Sequence, residues 1–98
     1  MELRVVAPDA ADPLTITEVV EALKTEGLKA SHDSQDWGDW ILLANDPTVI
    51  SIESINGLSR EATVEFPDDP SDRTRSKIEK AFKNLGWQGI DEDGLFPL

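Results

Sequence analysis

Apolar residues recur with two different periods along this 98-residue chain, and the two periods mark different elements. Ile16, Val19, Val20 and Leu23 fall at i, i+3, i+4 and i+7, the spacing of one helical face. Thr15 stands where an N-cap belongs, Glu18 can close a capping box, and Leu14 can staple onto Val19. Gly27 suits the left-handed position after a helix, so this helix is expected to end near Glu26 with Leu28 folding back on Leu23. Ile78, Ala81, Phe82 and Leu85 repeat the pattern. Asp69 serves there as N-cap and Pro70 as first helical residue, and Asp72 lies in the first turn. Gly86 ends the second helix, with Trp87 returning towards Phe82.

Between the helices the period changes to two. Glu61 to Phe66 alternates with Ala62, Val64 and Phe66 inward, and Trp40 to Ala44 and Thr48 to Ile55 form a hairpin across Asn45-Asp46-Pro47. A two-residue turn at Asn56-Gly57 would set Ile50 and Ile52 opposite Thr63 and Glu61, on the wrong face. A three-residue loop, Asn56-Gly57-Leu58, aligns Ile52 with Ala62 and Ile50 with Val64, and is the expected connection. Leu3 to Ala7 reads as a first strand ended by Pro8, and Leu28 to Asp33 as a short edge strand. The tail from Gln88 to Leu98 carries Ile90, Leu95 and Phe96 but is interrupted by Gly94 and Pro97, so it should dock as a strand or extended segment.

These elements predict one α+β domain over residues 1–98 in the order β-α-(β)-β-β-β-α-(β). The expected form is a two-layer sandwich: a mainly antiparallel sheet of about four to five strands with both helices on one face.

Charge changes the picture more than composition does. Twenty acidic against nine basic residues leave a formal charge of −11, a field that repels nucleic acid and anionic membranes and attracts a basic protein. Neither a membrane nor nucleic acid is expected as a partner. Without cysteine the chain has no disulfide or thiol chemistry, which fits a cytoplasmic setting. The first residues lack the basic-then-apolar pattern of a signal peptide.

Few residues suggest chemistry. His32 with Asp33, Asp36 and Asp39 has the composition of a metal site or a base with its carboxylates, but a lone histidine at a strand end is more often a polar surface residue. Asp91-Glu92-Asp93-Gly94 begins like a calcium loop, yet only four residues follow Gly94, too few for a twelve-residue loop closed by glutamate. The sequence calls for no cofactor or metal, and enzyme activity ranks below binding. Two surfaces remain. Trp37 and Trp40, three residues apart, cannot share one face of a regular strand, and both are expected mainly to complete the small core; an exposed Trp37 among Asp33, Asp36 and Asp39 would instead have an anchor and the charge to meet a basic protein. Arg73, Lys77, Lys80 and Lys83, with Arg75 beside them, make a basic face on the second helix, more often explained as a solvated face with local ion pairs. The function expected is an acidic protein-interaction domain, such as an inhibitor, an immunity-like factor or an accessory subunit. A small ligand-sensing module is the alternative, with its site at the helix ends beside Gly27 or Gly86.

Overall fold

A computed structural model describes residues 2–7, 14–36, 38–44, 46–55, 58–67 and 72–98. In chain order the elements are β1 (Glu2–Val6), β2 (Leu14–Thr15), α1 (Ile16–Thr25), β3 (Ala30–Gln35), β4 (Gly38–Leu43), β5 (Asp46–Ile55), β6 (Leu58–Glu65), α2 (Asp72–Asn84), β7 (Gln88–Asp91) and β8 (Gly94–Phe96).

Both helices end as their sequences dictate. Gly27 has φ 89° and Gly86 φ 83°, the region that costs glycine nothing. The Leu28 amide donates to the Leu23 carbonyl at 3.2 Å and that of Gly27 to Lys24 at 2.9 Å; Trp87 to Phe82 and Gly86 to Lys83 repeat the pair at 3.0 Å each. This is the Schellman arrangement twice over. The second closure also brings the Trp87 and Phe82 rings to 5.2 Å. At the start of α1, the Thr15 hydroxyl accepts the Glu18 amide at 3.4 Å. The Asp69 and Pro70 cap of the second helix lies outside the described residues.

The strands form one open antiparallel sheet of eight among the described residues, in the order β3-β4-β5-β6-β1-β7-β8, with β2 paired to β6. This corrects the expected four to five. β2 has only two residues, too short to show a period, and the tail folds into a β7–β8 hairpin rather than a single extended segment. Gly94 and Asp91 make that hairpin possible: Gly94 takes φ 109°, and the Asp91 carboxylate accepts the Asp93 amide at 2.8 Å. Gly89 lies directly under the Phe96 ring, in space a Cβ would need. β1 runs between β6 and β7 and antiparallel to both, so α2 is the crossover joining two parallel strands with the N-terminal strand between them.

The β5–β6 register reconciles two alternatives the sequence set against each other. Ile50 pairs with Val64 and Ile52 with Ala62, as expected. Towards the turn the register slips between Glu53 and Ser54, and Ile55 pairs with Leu58, so the expected three-residue loop is corrected to two. Asn56 and Gly57 themselves lie outside the described residues. A β-bulge absorbs the extra residue, letting the tip follow the turn and the body follow the core.

Alternation then sorts the sheet into two faces. Leu3, Val5, Ile41, Leu43, Ile50, Ile52, Ala62 and Val64 are buried in a single core with Val19, Val20 and Leu23 of α1 and Ile78, Ala81 and Phe82 of α2. Both helices therefore pack on the inner face, and they contact each other. The outer face carries the other half of every strand.

Candidate functional site

Cross-strand pairs share a face, so the register lays out the outer surface in rows. One row runs Asp33, Trp40, Ser51, Thr63, Arg4 and Ile90; beside it run Leu42, Val49, Glu65 and Glu2. On the other flank Glu53 faces Glu61. The outcome is a surface that mixes apolar and acidic side chains with two hydroxyls and one arginine. Trp40 is half-buried with its ring against Gly38, where a Cβ would sit 3.4 Å from it, and Leu42 is 40% exposed. Arg4, the one cation in these rows, is held by Glu61, whose carboxylate accepts from the guanidinium Nε at 3.0 Å. That hydrogen bond and the charge of Glu61 raise the Arg4 pKa further above its ordinary value.

The acidic residues singled out from the sequence separate in space. Asp33 joins the outer face opposite Trp40. Asp39 points to the inner side, at the end of the row holding Ile52, and its carboxylate hydrogen-bonds the His32 ring at 2.8 Å. Asp36 is exposed in the turn between β3 and β4. Trp37 lies outside the described residues. Among the described residues no three histidine, aspartate or glutamate side chains converge as a metal site requires.

The basic residues of α2 divide in the same way. The Lys77 ammonium approaches Gly27, and that of Lys80 pairs with Glu26 at 3.5 Å. Glu26, at the negative end of α1, also lies 3.5 Å from the Asn84 amide. The cation opposite therefore offsets an unfavourable carboxylate and ties one helix end to the other helix. Arg75 pairs with Glu79 at 3.0 Å and lies over the Phe66 ring. Arg73 and Lys83 point to solvent.

The structure adds or corrects several features that the sequence did not reveal. Asp46 accepts the Thr48 amide and the Thr74 hydroxyl, each at 2.9 Å, fastening the start of β5 to α2. Burial alone would raise its pKa, but the Thr48 hydroxyl and amide and the Thr74 hydroxyl outweigh burial and hold it below the ordinary carboxylate range. Asp46-Pro47-Thr48 is a turn signal that could have revealed the local half of this contact, though not Thr74. The second is the outer-face position of Trp40, which corrects the expected core position and is readable from its alternation with Ile41 once the strand is placed. The third is a cavity of about 300 Å³ between α1 and β3, lined by Thr17, Val20, Glu21, Lys24, Ala30, Ser31 and His32. Another, of about 360 Å³, lies at the sheet end between Glu2, Arg4, Ile90, Asp91 and Glu92. Neither adjoins the Gly27 or Gly86 helix end.

Comparison with protein-family models, curated proteins and solved structures found no match to this chain. Among the described residues no helix is long and apolar enough to cross a membrane.

Proposed function

We propose that this chain is a non-catalytic, acidic protein-interaction domain that receives a basic protein on the outer face of its sheet. It would act in the cytoplasm as an inhibitor, an immunity-like factor or an accessory subunit. In this reading the two-layer build serves binding: the helices complete the core from one side and leave the other side of the strands for a partner.

The observation that carries the reading is the pairing of apolar and acidic groups on that outer face. Trp40, Leu42 and Val49 offer contact area, with Asp33 on the edge strand beside Trp40, while Glu2, Glu53, Glu61 and Glu65 lie towards Arg4, a cation already paired with Glu61. On a chain of charge −11 these carboxylates steer a basic surface, and the desolvated apolar cluster supplies short-range affinity.

The test is kinetic. A partner recovered by affinity capture is purified, and its association and dissociation are measured at low and high salt. Glu53→Lys with Glu65→Lys should slow association about tenfold at low salt and much less at 1 M, where the Debye length has dropped to about 3 Å. Leu42→Asp should instead speed dissociation. Unchanged rates for both folded variants would reject the outer face as the interface. If Trp37→Ala then weakened binding alone, the contact would belong to the acidic segment around Trp37.

A further inference from the structure

β3 is the terminal strand of the sheet and is only partly protected. It pairs with β4 over six unbroken positions, Ala30 with Leu43 through Gln35 with Gly38, while the next two pairings inward are each interrupted by a register shift. Among the described residues no strand pairs with its other side. Its sequence, Ala-Ser-His-Asp-Ser-Gln, contains neither lysine nor proline, the residues that most often block edge pairing.

The edge adjoins one flank of α1. Thr17, Val20, Glu21 and Lys24 recur at i, i+3, i+4 and i+7, so they form one stripe of α1, and this stripe is one wall of the 300 Å³ cavity whose other wall is Ala30, Ser31 and His32. Val20 and Ala30, 6% and 5% exposed, give the groove an apolar floor. A strand added to β3 would direct alternate side chains into this groove and the others to the outer face beside Asp33.

We infer that the α1–β3 groove is a strand-addition site for an extended basic segment of a partner protein. Main-chain hydrogen bonds to β3 supply pairing, an apolar side chain over Val20 and Ala30 sets the register, and basic side chains on the other face meet Asp33. Charge selects the occupant: Glu21 pairs with Lys24 at 3.6 Å and Asp39 with the His32 ring at 2.8 Å, but Glu21, Asp33, Asp36 and Asp39 together outnumber Lys24 and Lys29 around this edge, and −11 on each molecule opposes pairing with a second copy. The inference rests on the basic-partner reading but places the contact on the edge, not on the outer face.

The probe is a capped eight-residue peptide of alternating lysine and valine, with the glutamate–valine peptide as control, titrated into the isotopically labelled full chain. The expected result is slowed hydrogen exchange at alternate amides of residues 30–35, saturating with peptide, and no effect from the control. The groove-wall pair Thr17→Lys and Glu21→Lys, both at exposed helix positions, should weaken the lysine–valine peptide about tenfold, whereas Leu95→Asp, exposed on β8 at the opposite end of the sheet, should leave it unchanged. No protection at β3 up to millimolar peptide, or full affinity in the folded groove-wall variant, overturns the site. Protection that appears on β5 and β6 instead of β3 would overturn it too, while supporting the outer face.

Discussion

The two faces of this sheet are built from the same strands, yet they answer to different physics. On β6, Ala62 and Val64 are fully buried while their neighbours Glu61, Thr63 and Glu65 carry the polar face. The inner face is constrained by packing against two helices, where a wrong volume or an unpaired charge has nowhere to go. The outer face is constrained by solubility and by whatever it meets, and it holds most of the sheet's charge. One residue of shift exchanges the two environments, which is why the bulge at the β5–β6 turn matters: without it the tip register would turn Ile50 and Ile52 opposite Thr63 and Glu61.

The largest contrast should come from placing the same charge on each face. Ile52→Asp introduces an unpaired carboxylate at a position 5% exposed and should cost about 4 kcal/mol or more, enough to unfold much of a small domain. Thr63→Asp, one residue along from the partner of Ile52 and on the outer face, should cost less than about 1 kcal/mol. Urea denaturation followed by circular dichroism measures both, and similar losses would break the assignment of faces.

Gly89→Val sharpens the comparison at the sheet's far end. The added side chain occupies the place of the Phe96 ring, so either β8 detaches or the ring leaves the core margin, at about 1–3 kcal/mol. Chemical-shift changes confined to residues 88–98 would mark the first outcome. Gly27→Ala and Gly86→Ala test how the helices are held over the inner face, and each should cost about 1 kcal/mol because alanine resists positive φ. Wild-type stability in both variants would show that the caps do not depend on glycine.

The smallest expected effect is at Asp46, which links β5 to α2. Its folded pKa lies below the unfolded value, so its stabilisation is present above about pH 4 and is lost as pH falls through the folded value. Asp46→Asn should therefore flatten the acid limb of the stability profile between about pH 5 and 3 while leaving its slope near pH 7 unchanged. An acid limb of wild-type steepness would mean that the Thr48 and Thr74 contacts contribute nothing through ionisation.

What the sequence determined by itself was local. A helix that ends at glycine is specified by a few neighbouring residues, so the two Schellman closures and the Thr15 cap could be read without knowing any tertiary contact. The same holds for the alternation of Ala62, Val64 and Phe66, since a strand with one buried face shows its period within a few positions. Tertiary structure decided whatever depends on partners distant in the chain. The insertion of β1 between β6 and β7 leaves no local signal, because backbone hydrogen bonds are the same for any neighbour. The two residues of β2 become a strand only because β6 extends past the end of β1. The acidic residues around Trp37 look like one patch in sequence, but a strand pair sends Asp33 to the outer face and Asp39 to His32 on the inner side. The groove beside β3 follows the same logic: its two walls are a helix stripe and a strand edge, and they enclose a cavity only when packing sets one against the other.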